Sequence, residues 1–321
     1  MNKEKAPAYI IKKMYVGFFM LEQYETTLSL KWNQFHFFSY RDLLQEADFL
    51  KEKYKEDILK VEEIGKSYDN RKILLFSIGS GGSGKKKILI TAGVHGRETV
   101  NTIVCMRMIE SYCKKIEEKE KSMEQYTFHI IPLLNPDGYM IAQKGFHVLR
   151  NEVLRKQAIR ISKEKHIPYA LWKWNGRGVD INRDFPSKTW RPKQEGDYPG
   201  RQIETKAFMK VVNMLDTDLY LDLHSRGNEI YYYRKEMNKE YNIRQMDMAK
   251  KMAEITGYTL VNPFFEIADG DSGGNTVHYY SEHKKKPAFT IETVPEEESF
   301  PLSLQWQQTV YDRIKGIYTV L

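Results

Sequence analysis

Apolar residues recur along this chain with two periods. From Ser39 onward, Leu43, Leu44, Ala47 and Leu50 return at intervals of three and four. That spacing predicts one face of a helix, capped near Ser39 or Tyr40 and ending before Ile58. Residues 61–65 and 73–78 read as strands, with a turn at Asp69-Asn70 between them. The run Ile88-Leu89-Ile90-Thr91-Ala92-Gly93-Val94 predicts another strand. Val100, Ile103, Val104, Met108 and Tyr112 then mark the buried face of a helix over 99–115. Further along come a strand over 126–134, a mixed basic region over 142–165 and a helix over 201–214. A strand over 219–224, a helix over 238–256, a strand over 289–292 and a closing helix over 304–318 complete the series. Strands alternating with helices predict a three-layer α/β/α domain whose sheet is buried on both faces.

Residues 1–40 lack a clear period and are rich in aromatics, so they read as an N-terminal extension of unknown role before a domain over 41–321. The length of 321 residues suits one α/β domain, and no linker composition interrupts it. Gly79-Ser80-Gly81-Gly82-Ser83-Gly84-Lys85 imitates a phosphate-binding loop. Lys86 stands where that motif needs Ser or Thr, however, and a strand follows where it needs a helix. A glycine-rich hairpin turn is the better expectation.

Composition adds limits. The formal charge of +7 comes from 50 basic against 43 acidic residues spread along the chain. No basic stripe interleaves with aromatics, so nucleic acid is not an expected partner, although an anionic ligand is favoured over a cationic one. The apolar stretch at 15–20 is short and has Lys12, Lys13 and Glu22 about it, with no small-residue cleavage site. Neither a membrane span nor a signal peptide is expected, which makes a cytoplasmic location the default. Cys105 and Cys113 lie about 12 Å apart by helical rise, too far for a disulfide. The oligomeric state is not legible.

Chemistry first surfaces where the strand at 88–94 ends, in His95-Gly96-Arg97-Glu98. An imidazole and a carboxylate three residues apart on one turn form half of a metal site. With a distant histidine as third ligand and a position left for water, the set is catalytic in type rather than structural. His224, closing the apolar Leu221-Asp222-Leu223, is the best third ligand among eight histidines.

Three further motifs follow in order: Asn135-Pro136-Asp137-Gly138-Tyr139, Gly178-Val179-Asp180-Ile181-Asn182-Arg183 and Thr290-Ile291-Glu292. In this order and at these intervals the chain resembles the zinc carboxypeptidase family over roughly residues 41–321. The resemblance implies a central mixed sheet flanked by helices and one Zn2+ per chain held by His95, Glu98 and His224. It implies that Asp180 accepts a proton from His95 and fixes its tautomer. Glu292 matches the catalytic glutamate, which takes a proton from the attacking water and returns it to the leaving nitrogen. Asn182 and Arg183 match the pair that holds a substrate carboxylate.

The arginine facing the oxyanion is ambiguous. Arg150 stands twelve residues after Gly138, the interval of the digestive enzymes, while Lys173 or Arg177 fits the spacing of bacterial relatives. Arg150 is slightly favoured. Asp269 aligns with the mobile tyrosine of the digestive enzymes, where an acid would pair with a substrate ammonium, and Arg226 adds charge where they carry an aromatic residue. The segments around Trp172, Tyr198 and His224 look most like bacterial γ-D-glutamyl-meso-diaminopimelate peptidases. The expected partner is therefore a cell-wall-derived peptide with a free carboxylate. A general metallocarboxypeptidase, a small acylamino-acid deacylase and a catalytically silent binding module are the alternatives.

Overall fold

The computed structural model describes residues 38–79, 84–265 and 273–321. Within them, α1 (Tyr40–Lys53) is opened by Ser39, whose hydroxyl accepts from the Asp42 amide while the Asp42 carboxylate accepts from Ser39. This reciprocal cap satisfies amides that have no partner inside the helix. Strands β1 (Leu59–Lys66), β2 (Lys72–Ile78) and β3 (Lys86–Ala92) follow, then α2 (Val100–Glu117) and β4 (Tyr126–Ile131). The region read as mixed and basic contains α3 (Pro136–Lys144) and α4 (Glu152–Glu164). The remainder is α5 (Ile203–Met214), β5 (Leu219–Ser225), β6 (Glu229–Tyr231), α6 (Lys239–Thr256), β7 (Thr259–Leu260), α7 (Thr276–Lys284), β8 (Ala288–Thr293) and α8 (Trp306–Ile314). The expected closing helix is thus shorter than 304–318, ending in a separate 3-10 turn at Ile317–Val320.

The eight strands form one mixed sheet in the order β1-β2-β4-β3-β5-β8-β6-β7. Its centre, β4-β3-β5-β8, is parallel; β1 and β2 pair antiparallel with their neighbours, and β6 pairs antiparallel with β8 and parallel with β7. Side chains of a strand alternate between faces, and here both faces are covered. Ile88, Ile90, Leu219, Leu221 and Leu223 join α1, α2, α6 and α8 in one core. Leu89 and Tyr220 join α5 and α7 in the other. The chain therefore adopts the three-layer α/β/α fold that its pattern implies.

One expectation is corrected. Residues 79–85 do not close a hairpin, because β4 lies between β2 and β3; residues 80–83 themselves lie outside the described ones. Glycine-rich composition reports a tight turn and not which strand lies beside which.

Candidate active site

Three of the parallel strands end at the same edge of the sheet and deliver the site. His95 and Glu98 follow β3, His224 is the sixth residue of β5, and Glu292 is the fifth residue of β8. His224 and Glu292 are register partners on adjacent strands. The carboxyl ends of parallel strands are where chain crossings leave a crevice in open α/β sheets.

The turn that carries His95 and Glu98 is braced by the other motifs. The Gly96 amide donates to the Lys173 carbonyl at 3.0 Å. Asn135 Nδ2 donates to the carbonyls of Val94 and Trp174, at 3.0 and 3.1 Å. A Cβ on Gly96 would lie 2.2 Å from the Gly138 carbonyl carbon, so backbone meets backbone there and only glycine fits. Asn135-Pro136-Asp137-Gly138 is therefore scaffolding. Asp137, fully buried, takes Ser67 and Arg71 at 2.6 Å each.

The donor atoms converge. His95 Nδ1 is 2.8 Å from Glu98 Oε1, His224 Nδ1 is 3.1 Å from Glu98 Oε2, and the two Nδ1 atoms are 3.2 Å apart. On the far side of each ring, Nε2 donates to a carboxylate: His95 to Asp180 at 3.3 Å and His224 to Asp222 at 3.0 Å. Those bonds place the ring proton on Nε2 and turn the Nδ1 lone pairs toward one point. Burial by itself would lower both imidazoles. Glu98 and Asp180 hold His95 above its usual range, and Asp222 and Glu98 hold His224 well above it. Although burial opposes it, the imidazoles pull Glu98 down to about 2. A buried pocket with three carboxylates and two imidazoles, the Nδ1 atoms of both rings facing Glu98, fits a divalent cation with nitrogen and oxygen ligands, which would take the place of the protons shared there. Among the described residues this is the one such cluster.

Glu292 faces the same cleft, and its Oε2 is buried with no hydrogen-bond partner. Burial, reinforced by the charge of Glu98 against that of the imidazoles, pushes its carboxyl up to about 8. The cleft, about 650 Å³, is also lined by Arg97, Lys173, Ser225, Arg226, Glu296 and Phe300.

The remaining expected residues are distributed unevenly. Asn182 and Arg183 sit on a 3-10 turn, Ile181–Arg183, that Asp180 caps by accepting from the Asn182 amide. Asn182 Oδ1 accepts from the Thr276 amide, and Arg183 lines a neighbouring cavity of about 380 Å³. Asp269 lies outside the described residues. Arg150 does not reach the cleft, which corrects its assignment to the oxyanion. Its side chain is 72% exposed and donates to the Asp69 carbonyl at 3.0 Å, drawn to the buried Asp69–Arg71–Asp137 network. Arg177 lies over the Tyr68 ring and lines the neighbouring cavity. Lys173 does line the cleft, with Nζ 2.7 Å from Asp180.

Sequence reasoning missed Asp222. It is fully buried and receives Thr91 Oγ1 at 2.5 Å and Thr276 Oγ1 besides His224. Its signal was present, since an acid two residues before a strand histidine shares that histidine's face. Thr276 carried no comparable signal.

Comparison with known proteins agrees with this geometry. The model of the family described as zinc carboxypeptidase matches residues 43–310. The uncharacterized protein YqgT of Bacillus subtilis (strain 168) is 26% identical over 274 residues, covering 79% of this chain and 69% of that protein. Gamma-D-glutamyl-L-diamino acid endopeptidase 1 of Lysinibacillus sphaericus is 24% identical over 257 residues, covering 74% of this chain and 61% of that protein. Parts of both relatives thus have no counterpart here. Among solved structures, thrombin activatable fibrinolysis inhibitor superposes with a TM-score of 0.73 at 18% identity, over 92% of this chain and 75% of that one.

Proposed function

The chain belongs to the zinc carboxypeptidase family, and from that premise we propose that it is a zinc-dependent peptidase cutting an amide bond near the C-terminal end of a peptide. The observation that carries this reading is the meeting of His95, Glu98, His224 and an unpartnered Glu292 at the ends of β3, β5 and β8. One zinc ion held by His95 Nδ1, Glu98 and His224 Nδ1 would polarise the scissile carbonyl and favour ionisation of water near neutral pH. Asp180 and Asp222 keep the imidazoles oriented for that role. Glu292 removes the proton of the attacking water and hands it to the leaving nitrogen. Its place in the cleft beside the ligands, with one oxygen free of any hydrogen bond, suits it to transfer in both directions.

Asn182 and Arg183 hold the substrate's terminal carboxylate in this reading, and Asp269 pairs with an ammonium group beside it. A γ-D-glutamyl-diaminopimelate peptide carries both groups. It is also the substrate class closest to the one named in the Lysinibacillus relative. The test is a comparison of kcat/KM for such a peptide with that for a matched peptide ending in an apolar residue. The wall peptide is expected to be cleaved faster; equal values would leave a general carboxypeptidase instead.

A further inference from the structure

Two arginines of the cleft form no ion pair among the described residues, although Glu292 and Glu296 share its lining. Arg97 sits between the ligands His95 and Glu98, Arg226 is the second residue after His224, and both line the cleft with Glu292. Their guanidinium carbons lie 4.4 and 5.7 Å from the centroid of one ring, that of Phe300. Among the described residues neither forms an ion pair or hydrogen bond, and the Nε of each is buried without a partner. Lys173, in the same cleft, is engaged by Asp180.

A guanidinium whose carbon packs on an aromatic ring still has N–H groups to offer an acceptor. Two partly desolvated cations packed on one ring and lining one cleft without an ion pair favour an anion in that cleft. The position of this pair decides which part of a substrate it meets. Arg183 opens on the neighbouring cavity, whose walls include neither Arg97 nor Arg226. With the terminal carboxylate on the Arg183 side of the metal ligands, the acyl portion upstream of the scissile bond lies in the cleft of the two arginines.

We infer that Arg97 and Arg226 form a second anion site, which reads a carboxylate on the acyl side of the scissile bond. The inference rests on the peptidase reading above and refines it, since the preferred substrate then carries a free carboxylate on each side of the cut. A glutamyl residue joined through its side chain keeps its α-carboxylate, whereas an ordinary α-linked apolar residue offers none. The charge of Arg226 thereby selects for γ-linked glutamyl peptides and against their α-carboxamide forms.

The test uses two γ-D-glutamyl-diaminopimelate peptides that differ only in that group, one a free acid and the other a carboxamide. With the zinc-loaded parent, kcat/KM is expected to favour the acid by at least about tenfold. Arg226→Gln, and separately Arg97→Gln, should bring that ratio toward one. A ratio near one in the parent, or an undiminished ratio in both variants, overturns the second anion site while leaving the peptidase reading intact. Cleavage of neither peptide fails the peptidase reading. The anion site is then decided by calorimetric titration of both peptides into zinc-loaded Glu292→Gln: tighter binding of the acid upholds it, equal affinity overturns it.

Discussion

A carboxyl group with an unpartnered oxygen, buried beside two imidazoles, is costly unless the site uses it. Glu292 is that group, and its distance in role from the ligands gives a separable outcome. Glu292→Gln should retain zinc and bind substrate, with kcat lower by at least about a hundredfold; metal content and steady-state kinetics on one preparation check both. Surviving turnover would move the base elsewhere. At the same scale His95 and His224 were legible as candidate ligands because each ends an apolar run, an expensive place for an imidazole without a task. Arg150 was not legible. An interval along the chain fixes where its backbone passes, but the Asp69 carbonyl and carboxylate decide where the guanidinium goes.

Whole elements are held to the site by backbone contact, which makes the turn after β3 sensitive to a single methyl group. In Gly96→Ala the new Cβ meets the Gly138 carbonyl carbon. The ligand turn must shift, at a cost of about 1–3 kcal/mol. A Tm lower by several degrees together with zinc affinity weakened at least about tenfold is the expected result, read by calorimetry and a competing chelator. The N-terminal turn of α5 supplies a pH effect. Glu204 is fully buried, accepts from Asn175 Nδ2 at 3.2 Å and has an unpartnered Oε1; burial pushes its carboxyl from 4.5 up to about 8. Between those values the folded chain holds a proton that the unfolded chain has released, so stability falls as pH rises through that window. Full ionisation costs on the order of a few kcal/mol. Glu204→Gln should flatten the decline of Tm between pH 5 and pH 8; an unchanged slope would assign it to other groups. Elements themselves were legible where apolar periodicity was long, as in α1 and α2. The helix α7 was not, because its residues are buried on nearly every side and leave no polar face to mark a period.

For the molecule as a whole, the ligands stand at one edge of a sheet whose two cores close without them. Zinc bound to the folded state alone adds stability by mass action. Chelation, or His95→Ala, should therefore lower Tm by several degrees and abolish metal retention, while far-UV circular dichroism keeps its native form. Collapse of the spectrum would make the metal a folding requirement. The order of the strands lies at this scale too. Local sequence dictated which segments are strands and helices, that the sheet is buried on both faces, and which imidazoles and carboxylates stand at strand ends. Each of those properties belongs to a few neighbouring residues and their exchange between water and an apolar interior. The insertion of β4 between β2 and β3, the pairing of Asp222 with His224, the capture of Arg150 by Asp69 and the gathering of Arg97, Arg226 and Phe300 were decided only by tertiary structure. They join residues far apart in sequence, and such contacts are selected by the packing of the complete core and not by the preference of any one segment.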